Sequence, residues 1–266
     1  MPLTLGISSS SHARSWTPLE VSAELWLDGS DSSSITQSSN QVSEWADKSG
    51  NGRTATQSNA TYRPLVGQTT LNGRSVISFD GVDSYFKVSD FYAPTTNVYA
   101  VVKTEVVTGV QHIVRKGYTT NTNSFEYLFR YNVDDYQVTL TQEVGVSSTL
   151  TIADQATTSP TLLGYDWNGS SVFLYKNGTS LGGTTASLTQ FNATQELRIG
   201  ASHSSTSDSS TPTGVLNGYI AELILVSGSL ALVDRQKLEG YLAHKWGLTS
   251  VIPEEHPYKA VAPTIN

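Results

Sequence analysis

Residues 216–248 read LNGYIAELILVSGSLALVDRQKLEGYLAHKWGL, and the change of rhythm inside this stretch decides the fold. Residues 218–227 form a long apolar run rich in aromatic and β-branched side chains, which suits a strand. Beyond Gly228 the spacing changes: Leu238, Tyr241, Leu242 and Trp246 fall at i, i+3, i+4 and i+8 and make one apolar stripe of a helix. Asp234 stands near its start and Lys245 near its end, as the helix dipole favours, and Gly247 suits the left-handed residue that stops it. Glu222 interrupts the strand run; buried there it needs a partner, and Arg198 or a metal ion are the candidates.

Upstream the chain is a series of short apolar runs divided by turn residues. LWLD (25–28), QVSEW (41–45), SVISFDG (75–81), YFKV (85–88) and NVYAVVKTE (97–105) are strand candidates, followed by HIVRKG (112–117), FEYLFRY (125–131) and YQVTL (136–140). TLLGYDW (161–167) and SVFLYKNG (171–178) flank Asn168-Gly169, the strongest hairpin signal in the chain, and ELRIG (196–200) follows. Residues 203–214 are a Ser/Thr loop and residues 1–22 a polar lead-in. No internal repeat and no linker interrupts the series. The expectation is one all-β domain with antiparallel strands and a single C-terminal helix.

The chain has 266 residues, 38% hydrophobic, a net charge of −7 and no cysteine. That length buries a sizeable core. Without a cluster of Lys and Arg, nucleic acid is a poor partner; without Cys, disulfides and thiolate metal sites are excluded. No apolar stretch reaches the roughly 18 residues of a membrane-spanning helix. The start, MPLTLGISSSSHARSW, has neither the basic nor the apolar segment of a signal peptide, so the expectation is synthesis in the cytoplasm with no export by that route.

EWADKSGNGRTATQ (44–57), RSVISFDGVDSYFKV (74–88), SVFLYKNG (171–178), LRIGA (197–201) and residues 216–248 resemble, in this order, the concanavalin A-like lectin/glucanase superfamily, above all its laminin G-like jelly-roll branch. The resemblance implies a two-sheet antiparallel β-sandwich over residues 23–258, with 1–22 as an arm and 259–266 as a tail. It also implies a sheet face for ligands and often a structural calcium. The version ending in KWGL, with HPY (256–258) after it, is similar to domains of bacterial extracellular proteins and phage structural proteins.

Glucanases of that superfamily carry E-x-D-x-x-E on one strand; no such spacing occurs here, and no other catalytic signature was found. Asp134 and Asp135 are adjacent, and on a strand they point to opposite faces. The five His residues have no metal spacing. On the family's model a calcium falls to Asp47 and Asn51, with Asp28 or Glu222; the competing reading has Asp47 organising its own Ser-Gly-Asn-Gly turn. For a glycan, alternation assigns Phe125, Tyr127, Phe129 and Tyr131 to the core and Glu126 and Arg130 to the solvent face. Loops 118–124 and 132–136, with Asn132, Asp134 and Asp135, complete that expected site. Trp26, Trp45, Trp167 and Trp246 are expected inside.

Three function classes follow. The first is a non-enzymatic decoration protein on a phage virion, made in the host cytoplasm, oligomeric in its assembly, and docked on capsid or tail proteins through residues 1–22 while its jelly roll meets surface glycans. The second is a carbohydrate-binding domain of a bacterial extracellular or cell-surface protein. A glycan hydrolase ranks last.

Overall fold

The computed structural model describes residues 14–94, 96–117, 125–141, 146–189, 194–203 and 211–265. Two antiparallel sheets stack face to face, and the helix Leu232–Trp246 lies on the outside of one of them. In the first sheet Asn217–Val226 is central. One edge pairs with Arg74–Asp80 over its first half and with Ala23–Asp28 over its second; the other pairs with Asn97–Thr104. Thr161–Trp167, Ser171–Lys176 and Thr179–Thr185 continue outward from there. The second sheet runs Ile35–Ser38, Gln41–Trp45, Ala55–Thr56, Phe86–Val88, Leu197–Ile199, Val110–Gly117, Phe125–Asn132, Asp135–Thr141, Ser147–Ile152.

The sheets meet at both sides. Gln41 pairs with Leu65 at one edge, and Ser148 Oγ donates to Thr185 O at 2.8 Å at the other. Between them Leu25, Ile77, Val98, Ala100, Tyr165 and Leu223 face Trp45, Phe86, Ile113, Tyr127, Phe129 and Tyr131. Tyr127, Phe129 and Tyr131 are thus core residues, and all four tryptophans expected inside are buried.

The central strand of the first sheet is buried on both faces, which explains why 218–227 reads as a continuous apolar run rather than an alternating one. Its outer side packs Trp26, Val76, Tyr99, Tyr219 and Ile224 against Leu238, Leu242, Ala243 and Trp246 of the helix. Gly247, with φ 71°, ends the helix as its position predicts.

Glu222 lies in this helix-facing layer with no exposed surface. Its Oε1 accepts from Trp26 Nε1 (2.6 Å) and Tyr241 Oη (2.8 Å), and its Oε2 from Trp246 Nε1 (2.6 Å) and Lys245 Nζ (2.8 Å). The expected partner, Arg198 or a metal, is replaced by Lys245: Arg198 belongs to the second sheet and bonds Glu196 at 3.0 Å. Burial pushes the Glu222 carboxyl up, and the Lys245 ammonium opposes the rise.

The first and last described strands meet on the same side. Arg14–Ser15 pairs with Thr264–Ile265, and Trp16 is buried beside Tyr241, their rings 5.9 Å apart. Residues 14–22 of the expected arm and 264–265 of the expected tail therefore pack onto the helix layer; residues 1–13 lie outside the described residues.

Replacing Glu222 by Leu leaves the Lys245 ammonium without its acceptor there and two indole N–H groups unbonded in the interior. The expected loss is about 3–5 kcal/mol in urea unfolding. Glu222→Gln keeps acceptors for the indoles and is expected to lose less.

Candidate functional site

The helix covers the central strands of the first sheet's outer face, and on the second sheet's outer face strand pairing decides which side chains come together; His112, Leu128, Thr139 and Arg198 are buried there and the others are partly or fully exposed. Side chains directly opposite on neighbouring strands share a face. One cross-strand row runs His112, Arg130, Gln137, Thr151. The next runs Thr36, Glu44, Thr56, Lys87, Arg198, Arg115, Leu128, Thr139, Thr149. Every member but Leu128 is polar or charged, so the pairing assembles a polar strip from residues scattered across 36–151 and 198.

Hydrogen bonds tie the strip together. Arg130 Nε donates to Gln137 Oε1 at 2.9 Å, and Gln137 Nε2 to Thr151 Oγ1 at 2.9 Å. The Thr139 and Thr149 hydroxyls are 3.1 Å apart. Arg115 Nη1 donates to Ser202 Oγ at 2.7 Å. Glu196 accepts from both Lys87 (3.2 Å) and Arg198 (3.0 Å), and the Arg198 guanidinium lies 4.7 Å from the centre of the Tyr85 ring.

Positive charge is crowded here. Burial, with the Arg130 and Arg198 charges beside it, pushes the Arg115 guanidinium down to about 10. His112 is buried under Gly214, whose carbonyl accepts from the His112 amide at 2.8 Å. Burial above all, then the charges of Arg115 and Arg130, holds its imidazole well below the usual 6.5.

Of the residues expected to bind a glycan, Arg130 lies in the strip, while Asn132, Asp134 and Asp135 sit at the hairpin that ends its strand. Glu126 does not join them. The register slips between Lys116 and Gly117, and Glu126 is buried with its carboxylate 3.1 Å from Lys116 Nζ, which also bonds Asp90. Asp134 and Asp135 are not on opposite faces either. Asn132 pairs with Asp135, so Val133 (φ 62°) and Asp134 form the turn, and carboxylate oxygens of Asp134, Asp135 and Asp154 come within 4.8 Å of one another. Loop 118–124 lies outside the described residues.

The residues expected to hold calcium already have partners. Asp47 Oδ1 accepts from the amides of Trp26 (3.0 Å) and Ser49 (2.9 Å); its Oδ2 accepts from Ser49 Oγ (2.7 Å) and the Arg53 amide (3.0 Å). Asn51 Nδ2 donates to the carbonyls of Ala23 and Glu24, both at 3.1 Å. Asp28 Oδ2 accepts from Lys48 (2.9 Å) and Lys245 (2.8 Å), and Lys245 also holds Glu222. Two ammonium groups on these carboxylates supply the charge that a divalent cation would bring, so the donor set does not fit calcium. The 47–53 loop instead stitches itself to the Ala23–Asp28 strand.

No protein-family model matches the sequence, and no curated protein matches it. Solved structures do. The chain is similar to the binding domain of Paraclostridial Mosquitocidal Protein 1, with TM-score 0.56 and 10% identity, over 84% of this chain and 53% of that one. It is similar to the Botulinum Neurotoxin serotype G binding domain, with TM-score 0.56 and 11% identity, over 82% of this chain and 50% of that one. A third is the Botulinum neurotoxin serotype D ligand binding domain in complex with N-Acetylneuraminic acid, with TM-score 0.52 and 14% identity, over 84% and 52%. The chain spans about half the length of these structures. At such identities the likeness is one of fold: a β-sandwich.

Two outcomes are expected. The melting temperature is unchanged by added calcium or by a chelator; a rise with calcium would restore the metal reading. The unfolded chain protonates His112 below about pH 6.5, the folded chain does not, and stability falls as pH drops through that value. His112→Gln removes that term, so in urea titrations the variant gains on the wild type between about pH 7 and 5, by at most ~1.4 kcal/mol per pH unit.

Proposed function

We propose that the chain is a non-enzymatic carbohydrate-binding domain whose polar strip takes an acidic glycan. The observation that carries this reading is that strand pairing brings Arg115, Arg130 and Arg198 to the outer face of the second sheet, where burial first, and then the Arg130 and Arg198 charges, lower the Arg115 pKa; Arg198 is buried there, and Arg115 and Arg130 are partly exposed. A carboxylate placed there relieves the repulsion and accepts charge-assisted hydrogen bonds, while Gln137, Thr139, Thr149 and Thr151 suit a ligand dense in hydroxyls. The botulinum serotype D domain described above, of the same fold, was solved with N-Acetylneuraminic acid, a sugar acid. That likeness gives the reading support of fold only.

The resemblance of the ordered segments and the KWGL ending extends the proposal to place. In this reading the domain decorates a phage virion beside capsid or tail proteins, several copies to a particle, with residues 1–22 on the docking side and the strip turned outward. The same glycan chemistry on a bacterial cell surface or in an extracellular protein is the alternative. Labelling of purified particles with an antibody to the chain separates the two.

A glycan array is the test. The chain is expected to select carboxylated glycans, to lose affinity as salt rises, and to leave them uncleaved. Arg130→Ala is expected to weaken binding about ten- to hundredfold with little change in melting temperature. Selection of neutral glycans alone, or undiminished binding by Arg130→Ala, would overturn the proposal.

A further inference from the structure

The hairpin joining Thr161–Trp167 to Ser171–Lys176 borders a cleft of about 180 Å³ against the lead into the helix. Asp166, Asn168 and Phe173 line it from the hairpin, and Leu230, Leu232 and Arg235 from the other side. Its volume is well below the ~300–1,000 Å³ of sites for drug-sized ligands, so it has room for one small ring.

The polar groups here are fixed and only partly used. Gly164 has no side chain to clash with the Tyr99 ring: a Cβ on it would lie 2.4 Å from that ring. Tyr99 can therefore lie across the neighbouring strand and donate its hydroxyl to Asp166 Oδ1 at 2.5 Å. Asp166 Oδ2 is 3.6 Å from Arg235 Nε, beyond hydrogen-bonding range, and remains an acceptor. Arg235 stacks over Tyr175 at 4.1 Å and gives Nη1 to Glu239 at 2.8 Å, which leaves Nη2 as a donor. Asn168 spends its Oδ1 on the amides of Ser170 (3.0 Å) and Ser171 (2.9 Å), which leaves its Nδ2. Phe173, 37% exposed, supplies an aromatic face at the rim.

We propose that this cleft is a second carbohydrate site, which takes a single neutral pyranose with its apolar face on Phe173 and its hydroxyls on Asp166 Oδ2, Arg235 Nη2 and Asn168 Nδ2. Neutrality follows from the charges. Arg235 lies between the carboxyls of Asp166 and Glu239, so an anion gains nothing, in contrast to the strip on the other sheet. Burial pushes the Asp166 carboxyl up to about 7 against the pull of Tyr99 and Arg235, which marks a polar group held short of solvent and of partners. The site shares no residue with the polar strip and does not rest on that reading.

Titration of the ¹⁵N-labelled full chain with methyl glucoside, galactoside, mannoside and N-acetylglucosaminide tests the assignment. At least one is expected to give saturable shifts at the Asn168 side-chain amide and the Arg235 Nε–H. Phe173→Ala is expected to weaken that binding about tenfold or more. Asp166→Asn, which keeps the shape and the Tyr99 bond, is expected to weaken it as well, and Arg130→Ala to leave it unchanged. The proposal fails if no panel sugar shifts these groups saturably, if the shifts survive both cleft variants, or if Arg130→Ala abolishes them.

Discussion

A carboxylate enclosed between a sheet and a helix is tolerable only when nearly all of its hydrogen-bonding capacity is met, and Glu222 meets this condition with groups from separate parts of the chain. One indole comes from the Ala23–Asp28 strand; the second indole, the phenol and the ammonium come from the helix. The last three come from the C-terminal half of the helix, so the buried charge adds a directional restraint on its rotation to the apolar stripe. Lys245 carries the constraint onward to Asp28, and Asp28 to Lys48 beside the stitched 47–53 loop. The early loop, central strand and late helix are thereby one polar unit.

Sealing one sheet has a consequence for the other. Helix, first and last described strands and inter-sheet core together cover both faces of the first sheet's central strands and the inner face of the second sheet. The remaining face carries mostly side chains that a core rejects, arginines, threonines and a glutamine, although His112, Leu128, Thr139 and Arg198 are buried on it. Burial above all, and then the neighbouring Arg130 and Arg198 charges, lower the Arg115 pKa there, a cost to the folded chain.

The fold was legible because its signals are local. Asn168-Gly169 and the stripe of Leu238, Leu242 and Trp246 each express within a dozen residues what they do in three dimensions. The polar strip was not, because its order exists only after pairing: Thr56, Lys87, Arg198 and Arg115 lie side by side but far apart in sequence, and the segments that hold the first three are fold markers that do not reveal their pairing. Alternation found Arg130 and missed Glu126, since one register slip near Gly117 undoes a parity count. Adjacent Asp134 and Asp135 misled for a related reason: a turn does not obey the strand's period. Glu222 was recognisable as needing a partner, yet that partner stood on the helix, where Lys245 reads as an ordinary helix-end cation.

Pairing of Arg14–Ser15 with Thr264–Ile265 brings the first and last described strands together on the helix side, across the sandwich from the polar strip. A polypeptide that continued beyond either strand would enter and leave at nearly one point, so the sandwich can hang from a larger body as a pendant without being threaded through it. The attachment point and the polar strip are then on opposite sides of the sandwich, and whatever carries the domain has that strip turned away from it by geometry alone.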